Sequence, residues 1–225
     1  MTNLLLRVRK FSTDADAVAA MEFAIVAPFM LVLFVGGVEL ANGMAINVKV
    51  SATAHSITDM VTQNTSLSTA QMQNILIGAT TIIAPYPTNN GQLSVTVSEI
   101  SSDANGNLTL QWSQSYNGTT FGPGRSSISG LTVPTSLNGT AGDPNNPNNQ
   151  NDQVSFIVGE VTYAYTPNLG YTITGTVSLR DTSWLFPRCS TNSPANSSGP
   201  AYYDVKYTTS TTTCTCIQHL QQKIC

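Results

Sequence analysis

Residues 18–38 read VAAMEFAIVAPFMLVLFVGGV, and the organisation of the 225-residue chain follows from where that run can sit. From Phe23 to Val38 no side chain is charged, and only Pro28, Gly36 and Gly37 interrupt the Ala, Ile, Val, Leu, Met and Phe. Its length suits an α-helix crossing a hydrocarbon core of about 30 Å. Glu22 is the one ionisable group in the run, and a carboxylate there is costly unless partnered or held near the head groups. Arg7, Arg9 and Lys10 lie just upstream, and positive charge beside a first apolar span keeps that end in the cytoplasm. On this reading residues 1–17 are a cytoplasmic leader and 18–41 a transmembrane helix. The chain from Asn42 onward faces away from the cytoplasm.

Composition limits what the outer part can be. Net charge is −3 and 9% of residues are charged, which excludes the basic face that nucleic-acid binding requires. Low charge with abundant Ser, Thr, Asn and Gly fits an exported surface of strands and loops, and the Tyr, Thr and Val of the second half favour β structure. The expectation is an α+β fold: a long helix entering an extracytoplasmic domain over 42–188, a second helix, an antiparallel sheet, and a Cys-containing tail over 189–225.

Pro28 removes one backbone hydrogen bond and predicts a bend in the membrane helix. Gly37 and Ala41 form a small-xxx-small pair that lets another helix approach. Glu39 falls at the outer boundary, where water reaches it. Beyond the membrane, Val50, Ala54, Ile57 and Val61 recur at helical spacing, so the helix continues and presents a stripe for packing. His55 is assigned no chemistry. Asn64–Ser68 reads as a turn, with Ser68 or Thr69 as cap, and Gln71–Ile83 as a second amphipathic helix ended by Pro85 and Pro87.

The period then changes. Leu93, Val95, Val97 and Ile100, then Leu108, Leu110 and Trp112, nearly alternate with polar residues around the turn Asp103–Gly106. This predicts a hairpin of 92–101 with 107–116. Residues 117–152, rich in Gly, Pro, Asn and Ser, read as a long exposed loop. Gln153–Tyr165 and Tyr171–Leu179 are the strongest strand candidates, joined by Thr166–Gly170.

Cys189, Cys214, Cys216 and Cys225 all lie in the tail. An even number in an exported region reads as disulfides, either Cys189–Cys214 with Cys216–Cys225 or Cys189–Cys216 with Cys214–Cys225. A metal site using His219 is disfavoured, because zinc sites commonly space their cysteines by two to four residues.

The string Asp16-Ala17-Val18-Ala19-Ala20-Met21-Glu22-Phe23-Ala24, followed by Pro28-Phe29 and Glu39-Leu40, resembles the TadE-type minor pilins (pseudopilins) of the tight-adherence, or Flp, pilus. Looser likeness continues at Tyr163-Ala-Tyr165-Thr-Pro167 and Pro187-Arg188. The resemblance implies a prepilin peptidase cutting between Ala17 and Val18, so that Glu22 becomes the fifth residue of the mature chain. The family normally has Gly before the cut, where this chain has Ala17. It implies that Glu22 and Phe23 serve subunit assembly, Glu22 pairing with the N-terminal amine of an adjacent subunit. The implied partners are that peptidase, other pilin subunits, the inner-membrane assembly machinery and membrane lipid. The implied location is the bacterial inner membrane, single-pass with a periplasmic C-terminal domain, before incorporation into an extracellular pilus. The implied role is biogenesis, priming or capping of that pilus for surface attachment.

The sequence carries little catalytic chemistry. There is no Gly-rich phosphate loop, HExxH or GxSxG, and two histidines give little material for a Ser-His-Asp triad. The expectation is a non-enzymatic chain without cofactor or metal. Two rivals are a permanently anchored envelope binding protein and a secreted adhesive protein cut after Gly43-Met-Ala45.

Overall fold

The computed structural model describes residues 15–89, 91–102, 108–134, 154–167, 175–188 and 205–207. Helix α1 spans Ala15–Thr62 and passes through Pro28. Strand β1 is Ser66–Leu67 and helix α2 is Thr69–Ile83. Then follow β2 (Leu93–Ser102), β3 (Leu108–Tyr116), β4 (Phe121–Gly122), β5 (Val154–Tyr165), β6 (Val177–Leu185) and β7 (Lys206–Tyr207). The chain divides into two compact units, Ile46–Tyr165 with Ser178–Cys225, and Met1–Ala45 with Thr166–Val177.

The larger unit is an α+β domain. Its five-stranded sheet has the order β4-β3-β2-β5-β6, while β1 and β7 form a separate parallel pair. β2 lies antiparallel between β3 and β5, and β4 antiparallel to β3. α1 lays Ile46, Val50, Ala54, Ile57 and Val61 on one face of this sheet, each at most 1% exposed. α2 adds Met72, Leu76, Ala79 and Ile83, and the sheet answers with Leu93, Val95, Val97, Trp112, Ile157 and Val161. The spacing that marks this stripe in the sequence is the spacing that buries it.

Local chemistry fixes the ends of α2. Ser68 caps it with a full capping box: its hydroxyl accepts from the Gln71 backbone N–H at 3.3 Å, and the Gln71 side chain accepts from the Ser68 N–H at 2.9 Å. At the other end no basic residue of α2 meets the free carbonyls. Lys49 of α1 does so instead, its Nζ donating to Ile82 O at 3.0 Å and Ala84 O at 2.6 Å. Beyond Pro85 and Pro87, Tyr163 donates its hydroxyl to Pro87 O at 2.9 Å. Burial first, then nearby Tyr86, holds that phenol above its ordinary pKa, and so in the donating form.

α1 and β5 approach backbone to backbone at one place. A Cβ built on Gly159 would collide with Thr58 Oγ1 and stand 3.1 Å from Ala54 O, so only hydrogen fits there.

Four expectations are revised. The hairpin forms, but its apolar residues do not share one face. Glu99 pairs with Trp112 while Ile100 pairs with Leu110, leaving Gln111 as an extra residue in a β-bulge. Trp112 therefore faces the helices, while Leu108 and Leu110 join Ile100, Phe156 and Val158 in a second cluster on the opposite face. The described part of the expected loop, 117–134, is not wholly exposed: β4 forms at Phe121–Gly122, and Ile128, Leu131 and Val133 pack on that second cluster; residues 135–152 fall outside the described residues. Of the strand expected over 171–179, residues 177–179 begin β6, which runs on to Leu185, and 175–176 are not in a strand; residues 171–174, and 168–170 of the expected turn, fall outside the described residues. Glu39 is not solvated: it is 2% exposed and engaged by other groups. The turn at 103–106 and all four cysteines, with any disulfide or His219 metal site, also fall outside the described residues.

Gly159→Ala should destabilise the domain by roughly 1–3 kcal/mol through overpacking, read as a lower thermal midpoint of the detergent-solubilised chain. Adding Thr58→Ala removes the nearer obstacle and should recover part of the loss. An unchanged midpoint for Gly159→Ala would show that α1 does not rest on β5 there.

Candidate assembly face and its surroundings

Between Phe23 and Val38, α1 is apolar around its circumference and mostly exposed. Phe23 is 72% exposed, Ile25 76% and Phe34 70%, and Phe29, Met30, Leu31, Val32 and Leu33 are similarly open. Each such side chain gains about 2 kcal/mol when removed from water, so the run carries on the order of 20 kcal/mol of unrealised burial. Lipid or other apolar helices satisfy such a surface, and water does not. The helix is long and apolar enough to cross a membrane, and the qualifying apolar window is not buried within the chain. This is consistent with a membrane anchor near the N-terminus.

The residues singled out in the sequence fall on this helix. Ala17 and Val18 are both helical, and Val18 is 41% exposed. Glu22 follows Val18 by four positions, one helical turn, and is exposed, as is Phe23 beside it. The Glu22 carboxylate thus shares a face with Val18 on an otherwise apolar surface. Gly37 has open space around it, with nothing within 4 Å of where a methyl group would stand, and Ala41 one turn further is also exposed. Such a pair lets a second helix come close. What this surface offers is non-covalent: a broad dispersion contact and one carboxylate able to accept a cation.

Two polar arrangements escaped the sequence reading. The first is a seam between α1 and β6. Ser51, His55 and Asp59, spaced by four, meet Asp181, Ser183 and Arg188. Ser51 donates to Asp181, His55 Nδ1 and Ser183 Oγ share a hydrogen bond of 3.0 Å, and Arg188 pairs with Asp59. The Arg188 N–H adds a bond of 2.9 Å to Thr62 O at the helix end. The signal was the four-residue polar spacing on the flank of the apolar stripe, but nothing local names the partner strand.

The second lies on the sheet face away from the helices. Ser115, Thr96 and Glu160 sit side by side across β3, β2 and β5, with Ser94 opposite Thr162 in the next row but one. Arg125 reaches over from the segment after β4 and clamps Glu160 through both Nε and Nη2, the latter at 2.7 Å. This ion pair is held in place locally. The Arg125 N–H donates to Ser113 Oγ at 2.8 Å, and Arg125 Nη1 to Ser129 O at 3.0 Å. The hydrogen bond to Glu160 raises the guanidinium pKa above its usual value against a smaller opposing effect of burial. With Gly124 and Arg180 these side chains line a cavity of about 290 Å³.

Residues 17–57 match the family of TadE-like proteins. The match covers the exposed apolar stretch and the buried stripe as far as Ile57, and does not extend to 163–167 or 187–188. No curated protein and no solved structure matches the chain.

Leu31→Arg places a charge in the middle of the exposed run and should cost about 3 kcal/mol of membrane insertion. Alkaline extraction of membranes should then release more of the variant than of the wild type. Met60→Arg, on an exposed position of α1 in the larger unit, should leave extraction unchanged. Equal retention of both variants would remove the apolar run as an anchor.

Proposed function

We propose that this chain, TadE-like over residues 17–57, is a minor pilin or pseudopilin of a tight-adherence pilus. It is held in the bacterial inner membrane before assembly, N-terminus in the cytoplasm and α+β domain in the periplasm. The prepilin peptidase cuts between Ala17 and Val18, and the apolar face of α1 then leaves lipid for a bundle of subunit helices. The protein primes or caps the filament and is not an enzyme.

One observation carries this reading: an exposed helical run, apolar on all sides over Phe23–Val38, with the exposed Glu22 carboxylate at its foot, one turn beyond Val18. A carboxylate in that setting needs a cation. Cleavage at Val18 would create an ammonium on every subunit, and pairing it with Glu22 of a neighbour offsets two charges that are each costly in an apolar bundle. The match beginning at residue 17 supports the same boundary.

A second reading draws on the start of the larger unit at Ile46, directly after Gly43-Met-Ala45. Cutting there would release a secreted domain that keeps its buried stripe. Mass spectrometry of the mature N-terminus separates the two, a start at Val18 against a start at Ile46, and an intact leader indicates a permanent anchor.

Glu22→Ala should leave the chain folded and membrane-bound but lower its recovery in sheared, purified pili by about tenfold or more, since a paired charge would lose its partner. Wild-type recovery of this variant in pili would sink the pairing.

A further inference from the structure

We infer that the cavity on the outer sheet face is a binding site for a sugar acid, a polyhydroxylated ring carrying one carboxylate. The lining is polar: Ser94, Thr96, Ser115 and Thr162 supply hydroxyls, and Arg125, Glu160 and Arg180 supply charge, with no aromatic or aliphatic side chain. Not every hydroxyl on this face is free. Ser98 and Ser113 are buried and bond each other at 2.9 Å, whereas the four lining hydroxyls have no side-chain partner among the described residues. Each can both donate and accept, which suits the alternating needs of a polyol.

Charge selects the acid. Arg125 is engaged by Glu160 through two nitrogens, so that pair presents no net charge. Arg180 is exposed and has no acidic partner among the described residues. One free guanidinium matches one carboxylate, which it can hold through two parallel hydrogen bonds. A phosphate dianion would bring a second negative charge toward the Glu160 carboxylate with no cation to balance it. The volume of about 290 Å³ is at the small end of ligand sites and fits one ring at a time, leaving a chain of such units to run across the open face. The lack of an aromatic platform leaves neutral sugars with hydroxyl contacts alone, and those compete poorly with water.

The cavity is also built to keep its shape. Gly124 has φ 71°, and a Cβ there would collide with Ser113 Oγ and stand 2.8 Å from Gln114 N, so the segment carrying Arg125 lies directly on β3. Ser113 Oγ accepts the Arg125 N–H, and Ile128, Leu131 and Val133 anchor the following residues on the second cluster. The guanidinium–carboxylate pair is thus preorganised before any ligand arrives.

The site stands apart from the pilus reading and is tested on the purified full-length chain in detergent, whatever its assembly behaviour. Isothermal titration with a trigalacturonate, a neutral maltotriose and inorganic phosphate should show the uronate binding at least about tenfold more tightly than the other two. Arg180→Gln should abolish that preference with the thermal midpoint unchanged, and Thr96→Val alone should weaken the uronate without altering the order. Equal binding of the neutral trisaccharide, competition by phosphate at the uronate's own concentration, no heat with any probe, or an undiminished preference in Arg180→Gln would each overturn the inference.

Discussion

One helix has to satisfy two surroundings. Over Phe23–Val38, α1 exposes apolar side chains in every direction; from Ile46 onward the buried apolar ones fall on a single stripe, with polar residues beside them. No single solvent suits both patterns. The first requires neighbours as apolar as itself on all sides, and the second requires a sheet on one side and water on the other. Several features of the domain serve the second requirement. Gly159 lets α1 settle onto β5, Lys49 ties α1 to the open end of α2, and the seam to Asp181, Ser183 and Arg188 closes the flank against β6.

The domain's sheet holds one wholly buried carboxyl group, and it organises the end of that sheet. Glu99 lies on the helix-facing side of β2 and accepts hydrogen bonds from Trp112 Nε1, Ser155 Oγ and the Val205 N–H. Trp112 Nε1 also reaches Val205 O at 2.8 Å. Both backbone groups of Val205 are thereby satisfied by side chains of the sheet. This brings β7 beside β1, where Tyr207 packs against Trp112 with ring centroids 5.5 Å apart. Several donors around one carboxyl group outweigh what a single neutral contact could give. A carboxyl in this position specifies where a late segment of the chain must dock.

Much of this was legible in the residues, and the failures are instructive. The apolar run, the stripe at Val50, Ala54, Ile57 and Val61, the Ser68 cap and the strands around Val95 and Val161 all announce themselves through local period and local chemistry. Trp112 and Leu110 did not, because a β-bulge shifts the phase between them and alternation read along one strand cannot see its partner. Glu39 was misjudged because its place at the outer boundary suggested water, and no local pattern marks its burial. The Arg125–Glu160 pair joins residues far apart in sequence and left no local trace.

The outer face of the sheet shows the same logic in reverse. At one end Ile100, Phe156 and Val158 are apolar, and the chain returns after β4 to cover them with Ile128, Leu131 and Val133. At the other end the outward positions of the same strands are Ser94, Thr96, Glu160 and Thr162, and the returning segment places only the Arg125 side chain over them. The switch occurs within single strands, between Thr96 and Ile100 on β2 and between Val158 and Glu160 on β5. Stability alone would favour continuing the apolar cover across the face, since each further buried side chain contributes about 2 kcal/mol. A face that stops short, and fixes a guanidinium at the boundary with bonds to Ser113, Ser129 and Glu160, forgoes that gain in exchange for a polar surface of defined shape.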